Sequence, residues 1–177
     1  MFFLNKPFFL LIIGNESIVS STYLVNLTDH SPTMSPDINP SATTYFEAVE
    51  ISVSVNGTYN ITSIGSLDTV GYLFINSFNI SFQSINLLIR NDDGADRNFG
   101  MSYRLGASQK YFLLATTYNS RITGSFQISI FGPSAVNFIK MNVSSELKIF
   151  SNYSLGRFVY RFYVFNWNKF ILFISFN

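Results

Sequence analysis

The chain has 177 residues, a net charge of +1 and no cysteine. Charged residues are only 12% and Lys and Arg form no cluster, so no field draws in nucleic acid. Without cysteine there is no disulfide frame, no thiol nucleophile and no thiolate metal site. The length suits one domain with a real core and some flanking material. Aromatics reach 18%, with 20 Phe and 10 Tyr, and this composition at low charge favours sheet over helix.

Residues 1–21 carry one Lys, an apolar run at Phe8–Ile13 and small residues near Val19-Ser20-Ser21. They read as a secretory signal or as the end of an upstream unit. The run is too short to span a bilayer. Tyr23–Leu27 is expected as an edge strand. Pro32, Pro36 and Pro40 then exclude a helix and leave a loop or extended lead-in. Val49, Ile51, Val53 and Val55 alternate with Glu50, Ser52 and Ser54, the period of a half-buried strand. Asn56-Gly57 follows, and Tyr59, Ile61 and Ser63 alternate with Asn60 and Thr62. Tyr45–Ile64 is therefore expected to be a β-hairpin.

Thr69–Ile75 and Ile85–Arg90 are the next expected strands. Asn76–Ser84 between them is a polar loop with Phe78, Ile80 and Phe82 as packing points. Asn91–Arg97 is an acidic turn, and Phe99, Met101 and Tyr103 mark a strand within Asn98–Leu105. Tyr111–Tyr118 is apolar enough to be a central strand buried on both faces. Phe126, Ile128 and Ile130 alternate with Ser125, Gln127 and Ser129, and Gly132-Pro133 ends the unit. Short strands, regular turns and no amphipathic helix predict an all-β sandwich or barrel. Leu147–Phe176 is dense in Phe, Tyr and Ile. Added strands, the start of another unit and a poorly folded end all stay open for it, and left uncovered it would invite aggregation.

Asp68 leads into Tyr72-Leu73-Phe74. Asn91-Asp92-Asp93-Gly94 follows, then Leu105-Gly106 before Tyr111–Tyr118, then Thr123-Gly124-Ser125-Phe126 and Gly132-Pro133. This order resembles the pre-peptidase C-terminal domain, in particular its tandem copies in large secreted or surface proteins of invertebrates. The likeness covers about residues 22–133 and leaves 134–177 as a linker and aromatic-rich extension. It implies a jelly-roll-like antiparallel β-sandwich without catalytic activity, riding on an extracellular protein. Some relatives bind calcium, collagen or polysaccharide. Their calcium-binding acids lie largely in an N-terminal linker, where this chain offers Asp29 and Asp37, with Glu47 and Glu50 beyond. Gly132–Val136 looks like the step between copies, and Asn152-Tyr153-Ser154 like the start of a truncated second one.

Asp68, Asn91, Asp92, Asp93 and Asp96 put hard oxygen ligands in or near one loop, the chemistry calcium takes. The competing reading is a turn whose side chains bond their own backbone. The single His30 lies in the Pro-rich lead-in with no oriented nucleophile beside it. No Gly-rich phosphate loop and no zinc spacing appears, so no enzyme is expected. Tyr45, Tyr59, Tyr103, Tyr111 and Tyr118 would stack on sugars if exposed, and core packing is the alternative. Acceptor sites for N-glycans occur at Asn15, Asn26, Asn56, Asn60, Asn79, Asn142 and Asn152, and Asn39 is excluded by the Pro that follows it. The expected function is a non-catalytic extracellular binding or adhesion module. Its expected partner is a polysaccharide or a protein and not a nucleic acid; membrane association is left open. The alternative is a spacer repeat stiffened by calcium.

Overall fold

Alternating apolar and polar side chains, with no helical period, mark most of the strands, and β8 is apolar on both sides. The computed structural model describes residues 17–94 and 96–143, and the backbone of 151–155, 158–164 and 170–175. Among these residues every regular element is a strand. The strands are β1 (Val19–Leu27), β2 (Thr33–Met34), β3 (Thr44–Val53), β4 (Gly57–Ile64), β5 (Thr69–Ile75), β6 (Leu87–Asn91) and β7 (Gly100–Leu105). They continue as β8 (Tyr111–Thr117), β9 (Gly124–Gly132), β10 (Val136–Lys140), β11 (Ser151–Leu155), β12 (Phe158–Val164) and β13 (Phe170–Ser175).

A four-stranded sheet runs β1-β9-β4-β7, and a six-stranded sheet runs β10-β3-β8-β5-β6 with β2 also paired to β3. All these pairings are antiparallel. Without the short β2 and the added β10, eight strands remain. Apart from the β5–β6 hairpin, every step from one of these strands to the next crosses between the two sheets, and the first and last strands pair. This interleaving is the double Greek key of a jelly roll. β11, β12 and β13 form a separate three-stranded antiparallel sheet.

The expected hairpin over Tyr45–Ile64 is not formed. β3 lies in the six-stranded sheet and β4 in the four-stranded one. Gly57 does not adopt the left-handed conformation that a two-residue Asn-Gly turn requires. A Cβ on Gly57 would meet the Pro133 ring at 2.5 Å, so the residue is a close-approach point at a corner between the sheets. Asn56 Oδ1 accepts a hydrogen bond from the Ala107 amide at 2.7 Å, which ties the corner to the β7–β8 turn. Period-two alternation assigns a face to each residue but does not name the partner strand.

Three boundaries also differ. β1 starts at Val19, so Val19–Ser21 pair with Ile130–Gly132 in the fold. β6 starts at Leu87 because Asn86 turns the chain at φ 60°. Beyond Gly132-Pro133, β10 adds to the edge of β3.

The inner core lies between the sheets. Val25, Leu27, Tyr59, Ile61, Phe126, Ile128 and Ile130 on one side meet Val49, Ile51, Leu73, Leu113 and Ala115 on the other. A second core lies on the outer face of the six-stranded sheet, built on Phe46, Val70, Tyr72, Phe74, Phe112 and Leu114. Every residue of β8 is therefore buried, as its unbroken apolar character predicts. Each large side chain so buried contributes roughly 1.5–3 kcal/mol.

Candidate functional site

The two outer faces of the sandwich are treated differently. On the six-stranded sheet, the lead-in and the β5–β6 loop close over the second core. Ile38, Phe78, Ile80, Met141 and Val143 pack onto it. Phe78 lies 5.9 Å from the Phe74 ring and 5.7 Å from the Phe112 ring, centroid to centroid. Gln83, 7% exposed, fastens the two covering segments together. Its amide donates to the Ser35 and Ile80 carbonyls at 2.7 and 3.0 Å, and its Oε1 accepts from the Asp37 amide at 2.9 Å. Tyr72 donates to Asp37 Oδ1 at 3.1 Å, and Arg90 pairs with the other oxygen of the same carboxylate.

The outer face of the four-stranded sheet carries no such cover among the described residues. The alternate side chains of β1, β9, β4 and β7 fill the inner core, so the remaining ones face outward. Register arranges them in rows. Ser20, Phe131, Asn60 and Ser102 form one. Thr22, Ser129 and Thr62 form the next, and Leu24, Gln127 and Ile64 the third. Leu24 is 67% exposed, Ile64 52% and Phe131 37%. Around them lie hydroxyls and amides. Arg104 is the one charged residue among the outward strand positions, and no carboxylate stands there.

The acidic turn is partly assembled. Burial pushes the Asp68 carboxyl above its ordinary range; Arg97 opposes the shift, and nearby Asp93 and Asp92 add to it. Asn91 is already engaged, its Oδ1 accepting from the Gly100 amide at 2.9 Å. Asp96 and Arg97 both turn the chain through positive φ, and the Arg97 carbonyl accepts from the Thr69 amide. Among the described residues no three acidic or histidine side chains gather as a metal site. The arrangement thus brings Asp68 near Asp92 and Asp93, and commits Asn91 to holding the turn.

A cleft of about 370 Å³ lies where β1 and β10 part, lined by Thr28, His30, Glu47, Lys140 and Asn142 among others. Glu47 is only 6% exposed, and both its oxygens are held. Tyr23 donates to Oε1 at 2.5 Å and Lys140 to Oε2 at 2.7 Å. Burial, and then the Glu47 carboxylate, push the Tyr23 phenol well above its ordinary range. Glu47 therefore ties β1, β3 and β10 together and is not a free base. His30 is exposed, 3.6 Å from the Asp29 carboxylate.

Of the five tyrosines considered for sugar stacking, Tyr59 and Tyr111 are buried in the inner core and Tyr45 and Tyr103 pack half-buried against it. Tyr118 alone is exposed, at the end of β8. The exposed aromatic of the open face is Phe131, which the sequence reading passed over. The signal was there: Phe131 interrupts the outward polar series of Ser125, Gln127 and Ser129, as Leu24 interrupts the alternation of β1. Among the acceptor asparagines, Asn26, Asn56, Asn60 and Asn142 are exposed and Asn79 half-buried. Asn15 and the side chain of Asn152 lie outside the described residues. The chain matches no protein-family profile, and no curated protein matches it.

Proposed function

We propose that this chain is a non-catalytic extracellular binding module whose open four-stranded face meets a neutral polysaccharide. The observation that carries the reading is the asymmetry of the sandwich: one outer face is sealed by two stapled segments, the other is bare and nearly uncharged. Hydroxyls and amides beside exposed apolar side chains match a sugar, which offers hydroxyls at its edges and C–H groups on its faces. The lack of carboxylates and the single Arg104 argue against a strongly charged partner. The resemblance to pre-peptidase C-terminal domains, some of which bind polysaccharide, agrees with this choice, as does the jelly-roll strand order.

Co-sedimentation with insoluble cellulose and chitin, with an acidic polysaccharide as control, tests the proposal. Retention on a neutral polymer should be insensitive to salt. Phe131→Ala should weaken it about tenfold, near the upper end of what one aromatic contact supplies. Absence of binding to every neutral polymer would reject the reading and favour a spacer.

A further inference from the structure

We infer that Asn26 and Asn60 carry N-glycans that cover the open face of the four-stranded sheet. The covering rests on the extracellular half of the proposed function; the competition described below rests on its binding half as well.

Asn26-Leu27-Thr28 and Asn60-Ile61-Thr62 are both acceptor sequences. The fold turns both asparagines outward on this one face. Asn26 stands one outward position from Leu24 on β1, and Asn60 sits directly across from Phe131. Each acceptor is thus the immediate neighbour of an exposed apolar side chain, about 5–7 Å away by strand geometry. The two lie about 20 Å apart along the strands, Asn26 at the end of the edge strand β1 and Asn60 on the inner strand β4 beside the opposite end of β9. Asn26 Oδ1 accepts from the Ser125 hydroxyl at 2.9 Å. Among the described residues neither Nδ2 has a protein partner. The other described acceptors lie off this face: Asn56 is at the corner beside Gly57, Asn79 holds a turn with its Oδ1, and Asn142 follows β10 on the six-stranded sheet, across the cleft whose rim Asn26 also reaches.

The co-reactant is a lipid pyrophosphate-linked oligosaccharide supplied by the secretory pathway. The amide nitrogen forms a bond to C1 of the first sugar, the C1–O bond to the pyrophosphate breaks, and the amide proton is lost. The product is a bulky neutral group beside Leu24 and another beside Phe131. A chain with 12% charged residues has few charges to keep such a face from self-association, and glycans supply that solubility instead. The same sugars would compete with an external polysaccharide for the face.

The full chain, secreted behind a host leader from a glycosylating eukaryotic cell, is mapped by glycopeptide mass spectrometry beside N26Q/N60Q. Both asparagines should be occupied in the wild type. The double variant should self-associate in light scattering and bind neutral polysaccharide at least about tenfold more tightly. An unoccupied Asn26 or Asn60 overturns the inference whatever the binding result. Occupied sites with a double variant that stays monomeric overturn the covering. A self-associating double variant that, like the wild type, binds no polysaccharide upholds the covering and rejects the proposed function.

Discussion

Gln83 shows how much one uncharged side chain can hold. Two of its three hydrogen bonds reach residues 46 and 48 positions away in sequence, and the third holds its own loop at Ile80, over a face that would otherwise be wet. Gln83→Leu keeps the volume but leaves the Asp37 amide and the Ser35 and Ile80 carbonyls without their partner. A buried polar group left unpaired costs about 1–3 kcal/mol, and urea unfolding at an unchanged m-value should show a loss of that order. Asp68 works in the opposite sense. Its carboxyl is raised above the ordinary 3.8, so the folded state holds that proton more tightly than the unfolded chain does. The contribution is fully present below pH 3.8 and is lost as pH rises through the folded value. Asp68→Asn should therefore raise the thermal midpoint at neutral pH in EDTA, and the gain should vanish in acid. The sequence puts Asp68, Asp92 and Asp93 in or near one loop, and in the fold the Asp92 and Asp93 charges act on the Asp68 carboxyl. The sequence could not show that Asn91 would be consumed by the Gly100 amide, because that contact depends on the close approach of Gly94 to Gly100.

At the scale of elements, what was legible followed from burial. β8 reads as a strand buried on both faces because it has no polar side to offer, and β9 reads as one-sided because Phe126, Ile128 and Ile130 alternate cleanly. Strand partners were not legible. Asn56-Gly57 carries the local chemistry of a hairpin, yet β3 and β4 lie in different sheets and turn their apolar sides into the same inner core instead of pairing edge to edge. Both arrangements bury the same residues, so alternation cannot separate them. The capping segments were hidden too, since their polar composition reads as solvated loop while a few apolar residues and Gln83 do the covering. Gly132 shows the tolerance at the sheet crossing. A Cβ there would lie 2.1 Å from the Tyr59 ring, which is fully buried with its hydroxyl donated to the Val55 carbonyl at 2.8 Å. Gly132→Ala should displace that ring and destabilise the fold by about 1–3 kcal/mol in denaturant titration.

For the whole molecule, the jelly roll sets which surfaces are left open. Its strand order curls two sheets around one core and leaves two outer faces, and the chain spends its loops and its β10 extension on the six-stranded side. The expectation of an all-β jelly roll came from alternation and from the resemblance. Which outer face stays open was not legible, because that depends on which loops fold back. In the function we propose, binding belongs to the open face and not to the capped one. The most direct measurement compares isotherms on a neutral insoluble polysaccharide for Leu24→Asp/Phe131→Asp and for Phe82→Asp. Phe82 is 62% exposed in the β5–β6 loop and serves as the control on the opposite side. The first variant should keep its thermal midpoint and lose at least about tenfold in affinity, while the second should bind like the wild type. Equal binding by both variants, or loss confined to Phe82→Asp, would contradict the proposal.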